Sequence, residues 1–283
     1  MKHVFDFYGE FIGTFILVFF GCGAVAVTVL FSSHVGLFQL ASIWGLAVTL
    51  AIYATRNLSC AHLNPAVSLA MVLGGRMSAS KLIRYMLAQF TGAIFAAFAL
   101  YIIFSSSITY FEQVHGIVRG EPGSVATAVI FSQYYPSPSA GQFLQITMLN
   151  AFLVEALGTF ILVFMIFALT DGCNIGRPDD KLAPVFIGLT LTMIISILAP
   201  LTMAGLNPAR DLSPRLFAYL AGWGNAAFPE PAYGIIIVYV LGPIIGAVAS
   251  AFFFSKLIQP AMTQKNLEVS CSCGSREEIM KNP

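Results

Sequence analysis

Asn64 and Asn207 are the residues whose type and setting point most directly to chemistry. Each opens an Asn-Pro-Ala triplet (Asn64-Pro65-Ala66 and Asn207-Pro208-Ala209), and each triplet follows a long apolar run and starts a short one. Proline suits the first position of a helix and asparagine the cap before it. The triplets therefore predict two helix starts within an apolar environment. A capping asparagine accepts backbone N–H groups through its side-chain oxygen and keeps its amide NH2 as a donor. If both starts converge, each adds about half a positive charge. Such a point donates to a passing water or hydroxyl oxygen and repels a cation, including a hydrated proton.

Other polar residues lie in the same runs. Arg210 follows the second triplet directly. An arginine at membrane depth is costly and marks a pathway, although a snorkelling side chain near an interface is the alternative. Glu10 and Glu155 are the intramembrane carboxylates, one per half. They read either as a proton relay or as acceptors for the N–H groups of irregular backbone that lipid cannot satisfy. His62 reads as a neutral imidazole lining a vestibule, and Asp211 falls in the first turn of the second short helix, where a carboxylate suits the dipole. Trp44, twenty residues before Asn64, reads by itself as an interfacial anchor.

The elements that must carry these residues are legible in hydropathy. Apolar segments near 6–30, 38–55, 82–104, 143–169, 182–203 and 232–257 each approach the roughly 20 residues that cross a bilayer as helix. Two shorter stretches, 65–74 and 208–220, are re-entrant candidates, allowed only where protein or a wet cavity satisfies their backbone. Residues 105–142 read as a polar connection. The run Glu10 to Phe19 (EFIGTFILVF) repeats as Glu155 to Phe164 (EALGTFILVF), an offset of 145, and the triplets are offset by 143. Three spans per half is an odd number, so the second half enters from the opposite side: an inverted repeat with its site at the midplane. The expected fold is an all-α membrane protein of six transmembrane helices plus two re-entrant half-helices. The expected domain spans 1–263, with halves at about 5–105 and 143–260. Basic residues such as Arg76, Lys81, Arg84, Arg177, Lys181 and Lys256 fall on one side, with Arg119 and Arg215 on the other. The positive-inside bias then puts both termini in the cytoplasm.

Composition excludes other classes. The chain of 283 residues is 58% hydrophobic and 10% charged, with mean hydropathy +0.83, against about 25% charged in soluble domains. A net charge of +1 gives no electrostatic case for nucleic acid. The N-terminus carries Asp6 and Glu10 and no small-residue cleavage site, so it reads as a retained first span. Cys22, Cys60, Cys173, Cys271 and Cys273 form no disulfide framework, and the last two read as free cytosolic thiols. Residues 264–283 read as a flexible cytoplasmic tail. No cofactor or metal is expected.

The triplets in their settings, Ser59 to Val67 (SCAHLNPAV) and Gly205 to Asp211 (GLNPARD), resemble the aquaporin superfamily of major intrinsic proteins. Asp211 after Arg210, with Arg215 four further on, is similar to the aquaglyceroporin branch. The loop pieces Phe111 to Gly120 and Leu220 to Asn225 are similar to bacterial glycerol facilitators. The resemblance covers about residues 5–260. It implies a homotetramer in the bacterial inner membrane with one pore per subunit. It also implies passive conduction of glycerol, water and related small uncharged solutes, and no enzymatic reaction.

The resemblance further places the selectivity constriction at Trp44, Ile195, Ala204 and Arg210. The glycerol-facilitator pattern has Gly at the place of Ile195 and Phe at the place of Ala204. This set is instead similar to the Trp, Val, Ala, Arg filter of plant nodulin-26-like proteins. Tyr239 also departs, since glycerol channels tend to have Pro there. These departures bear on solute size and open alternatives: lactic acid, ammonia, urea or a metalloid acid in the same fold. A proton-coupled transporter using Glu10 and Glu155 is the reading from another class.

Overall fold

The computed structural model describes residues 2–34, 36–138 and 145–266. Its main elements, in order, are α1 (Lys2–Phe31), α2 (Leu37–Thr55), the half-helix α3 (Pro65–Leu73) and α4 (Leu82–Val114). The second half follows with α5 (Met148–Thr170), α6 (Ala183–Thr202), the half-helix α7 (Pro208–Ala218) and α8 (Tyr233–Asn266). Six of these helices are long and apolar enough to cross a membrane. Their outward faces carry Leu46, Ile83, Ile102, Leu153 and Met193, all exposed, as lipid contact requires.

Packing repeats the twofold pattern of the sequence. α1 packs on α2 and α4, and α5 likewise on α6 and α8. Each half-helix crosses over, α7 against α4 and α3 against α8. The halves join where α2 meets α6. A Cβ on Gly45 would lie 2.0 Å from Thr192 Oγ1, and one on Gly188 would lie 2.1 Å from Thr49 Oγ1. Only glycine permits that approach, the packing mode that drives helix association in lipid.

Three boundaries differ from the hydropathy reading. α4 continues ten residues past 104, to Val114. Ile108 and Glu112, one turn apart, are buried there, which outweighs the weak helix preference of Ser105 to Ser107. Glu112 accepts from Arg119 Nη2 at 2.7 Å and from Thr127 Oγ1 at 2.7 Å, folding the connection back onto α4. Burial opposes the Arg119 charge, but its bonds to Glu112 outweigh that and raise its pKa. α5 begins at Met148, capped by Thr147, whose hydroxyl accepts from Asn150 N. α8 runs to Asn266 because its last turns grip the loop after α5: Gln259 Nε2 donates to Asp171 at 3.0 Å and Asn266 Nδ2 to the Cys173 carbonyl at 2.8 Å. The expected tail thus starts as helix at 264–266. The rest of it, with Cys271 and Cys273, lies outside the described residues. Cys22, Cys60 and Cys173 are free thiols.

Candidate functional site

Both half-helices start at their asparagine. Asn64 has extended backbone and its Oδ1 accepts from Ala66 N at 2.8 Å; Asn207 Oδ1 accepts from Ala209 N at 3.0 Å and Arg210 N at 3.2 Å. The amide of each donates across the junction, Asn64 Nδ2 to the Leu206 carbonyl and Asn207 Nδ2 to the Leu63 carbonyl, both at 2.8 Å. The expected pair of free donors per amide is therefore halved. One hydrogen ties the two halves together and the second is left for another acceptor. That opposite carbonyl is in reach because Leu63 and Leu206 are both left-handed, at φ 56°. Few branched residues accept that conformation.

The loops before the caps are shaped by the glutamates. Glu10 Oε1 accepts from Ser59 Oγ at 2.8 Å and His62 N at 2.9 Å. Its Oε2 accepts from Leu63 N and Gln89 Nε2, each at 2.7 Å. In the second half, Glu155 accepts from Thr202 Oγ1 at 2.6 Å, Gly205 N at 2.8 Å and Leu206 N at 2.7 Å. Both carboxylates are fully buried. In a trans peptide the carbonyl points opposite to the N–H it shares a plane with. With the N–H groups of His62 and Leu63 turned to Glu10, the carbonyls of Ala61 and His62 turn away from it. Those of Ala204 and Gly205 turn away from Glu155 in the same manner. All four residues line one cavity.

That cavity has a volume of about 240 Å³. It runs from Arg56, Thr170 and Asp180 at one end, past Asn64 and Asn207, to Trp44 and Arg210 at the other; Ile195 and Ala204 also line it. Arg210 is 5% exposed, so it does not snorkel, and its Cζ stands 4.1 Å from the Trp44 ring centroid, a cation–π contact. Its Nη1 is buried with no hydrogen-bond partner. His62 lines the cavity with Nδ1 3.3 Å from Ser68 Oγ. Pro65, Ala66, Pro208 and Ala209 are buried in the first turns. Tyr239 lies behind the second loop, its hydroxyl donating to the Thr202 carbonyl at 2.9 Å.

The partners of several contributors were not legible in sequence. Arg215, counted there on the side opposite the basic cluster and noted four residues after Asp211, is fully buried and paired with Asp211 at 2.8 Å. Together they hold the 131–134 segment: Asp211 accepts from Gln133 N at 3.0 Å, and Arg215 donates to the carbonyls of Gln133 and Ala227. The i,i+4 spacing of Asp211 and Arg215 was the available signal. Ser59 and Thr202, five residues before each asparagine, were equally visible as a repeat. Among the described residues no group of His, Cys, Asp and Glu is arranged to hold a metal.

Comparison with known proteins agrees with this architecture. The chain is 42% identical over 269 residues to the glycerol uptake facilitator protein of Haemophilus influenzae, covering 94% of this chain and 96% of that one. It is 43% identical over 250 residues to the glycerol uptake facilitator protein of Escherichia coli K12, covering 88% and 86%. It is 41% identical over 252 residues to the propanediol uptake facilitator of Salmonella typhimurium, covering 88% and 92%. The X-ray structure of the aquaglyceroporin from Plasmodium falciparum superposes with a TM-score of 0.76 at 29% identity, covering 92% of this chain and 98% of that one. Since the family model described as major intrinsic protein matches residues 2–254, the chain belongs to the major intrinsic protein family.

Proposed function

We propose that the protein is a passive channel for glycerol and similar small uncharged solutes, with water as a co-permeant. The carrying observation is the single cavity on which both asparagine tips, the turned-out loop carbonyls and the unpartnered Arg210 Nη1 converge. A polyol offers hydroxyls that donate and accept along one edge and carbon along the other. Its hydroxyls meet Arg210 first, then the carbonyls of Ala204, Gly205, Ala61 and His62, and the remaining amide hydrogens of Asn64 and Asn207. Its carbon edge slides on Trp44, Ile195 and Leu191. The names of the relatives, glycerol and propanediol facilitators, support this class of solute. A hydrated cation faces two helix N-termini and a buried guanidinium, which accounts for exclusion of ions and protons.

Glu10 and Glu155 are structural in this reading. Their oxygens are taken up by loop donors, and a coupled proton would have to displace those bonds. No bond of the solute is made or broken. The chain is placed in a bacterial inner membrane as a homotetramer, both termini cytoplasmic, with α3 entering from the cytoplasmic side and α7 from outside. Supporting the orientation, Arg76, Lys81 and Arg84 gather at one end of the bundle with Asp171 and Asp6.

Shrink–swell kinetics of proteoliposomes test the reading. Glycerol entry should exceed that of empty vesicles, rise linearly with gradient and persist without a pH gradient. Glycerol entry equal to empty vesicles, with water entry raised, would overturn the polyol assignment.

A further inference from the structure

We propose that Gly21 is a specificity-determining residue of the passage, acting by seating the Trp44 ring. This rests on the constriction formed by Trp44 and Arg210 in the function proposed above. A Cβ placed on Gly21 would lie 2.2 Å from Cζ3 of Trp44 and 2.3 Å from Cε3 and Cη2. No carbon fits there, so the bare Cα of α1 forms the wall behind the six-membered ring. The same ring carries the Arg210 guanidinium at 4.1 Å and lines the cavity. Where the ring stands, and therefore how far it reaches into the lumen, is set by a residue outside the cavity lining.

The internal repeat supports a matched pair. At the offsets of 145 and 143 that relate the halves, Gly21 corresponds to Ile166 and Trp44 to Ile187. Both isoleucines also line the cavity. The equivalent positions hold two branched chains of equal size in one half, and the largest side chain and none at all in the other. Size compensation of this kind is what a close-packed interior demands when one partner grows. Gly23, two residues on, differs: a Cβ there meets only Leu100 Cδ2, at 3.3 Å.

Gly21→Ala leaves the α1 backbone a better helix former and acts through the ring. To regain an ordinary contact of 3.4 Å or more, the ring has to shift by over 1 Å, and it lines the cavity beside Arg210. Water, glycerol and erythritol permeabilities would be measured in proteoliposomes for wild type, Gly21→Ala, Trp44→Phe, the double variant and Gly23→Ala. The expected result is a glycerol-to-water ratio lowered about tenfold by Gly21→Ala, with erythritol slowed more. The double variant should match Trp44→Phe, and Gly23→Ala should match wild type. If Gly21→Ala reaches the membrane poorly, recovery in the Trp44→Phe background supports the seat, and equal failure in both backgrounds overturns it. A wild-type ratio for Gly21→Ala, or a deficit that persists without the indole, also overturns it. If Trp44→Phe alone leaves every ratio unchanged, the constriction reading fails and the seat with it.

Discussion

Asn64 and Asn207 hold each other's half: each amide donates at 2.8 Å to the carbonyl just before the other's cap. The two bonds are the same contact applied twice through the internal twofold. They fix the gap between the half-helix tips, so neither can withdraw without unpairing a buried amide and a buried carbonyl. The remaining N–H of each amide is thereby aimed and not free to rotate. A donor held this way meets a passing oxygen without first paying the entropy of orientation.

Asn207→Asp tests that reciprocity. The carboxylate still accepts from Ala209 N and Arg210 N, but it sets an oxygen against the Leu63 carbonyl. An unmade buried hydrogen bond costs about 1–3 kcal/mol. A lower melting temperature in detergent and glycerol flux reduced by about tenfold are expected. Unchanged flux and stability would show that the cross-bond does not position the tips.

Glu155→Gln turns an NH2 toward donors that now find a carboxylate. Hydrogen bonds to charged groups are worth about 1.5–3 kcal/mol each, and Glu155 accepts three. The expected outcome is marked loss of thermal stability, with residual flux that ignores an imposed pH gradient in variant and wild type alike. Wild-type uptake driven by the gradient and abolished by the substitution would revive proton coupling.

Ala204→Phe adds an aromatic ring to the cavity wall that Trp44 and Arg210 also line. Larger polyols should slow first, glycerol next and water least, read as ratios in the same vesicles. Identical ratios would place Ala204 outside the constriction despite its position on the cavity wall.

Arg215→Met leaves the Asp211 carboxylate buried without its cation. Breaking one partner of a buried pair costs about 3–5 kcal/mol. The double variant Asp211→Asn/Arg215→Met should lose less than the two single losses together, a coupling of about 0.5–3 kcal/mol. Thermal unfolding in detergent measures all three. Strict additivity would mean the two residues hold the 131–134 segment independently.

Much of this protein is written locally. A capping asparagine with proline after it starts a helix wherever it stands, and the short apolar runs behind Asn64 and Asn207 bounded α3 and α7 to within two residues. Hydropathy located the six spans, because a bilayer demands length and apolarity from each span separately. It erred at the ends, at Val114 and Asn266, where a polar helix is held by tertiary partners that hydropathy cannot weigh.

The sequence alone therefore determined the elements, their paired halves and the identities of the polar residues brought to the junction of the two half-helices. Only the tertiary structure decided what each polar atom does there. The partners of the Asn64 and Asn207 amides lie 142 and 144 residues away, and no local pattern specifies them. The spacing of Arg215 from Asp211 was visible in sequence, but its enclosure by Asp211, Gln133 and Ala227 was not. The place of the Trp44 ring depends on a missing side chain in another helix. Hydrogen bonds and steric contacts act over a few ångströms, so their consequences exist only once the two halves are packed.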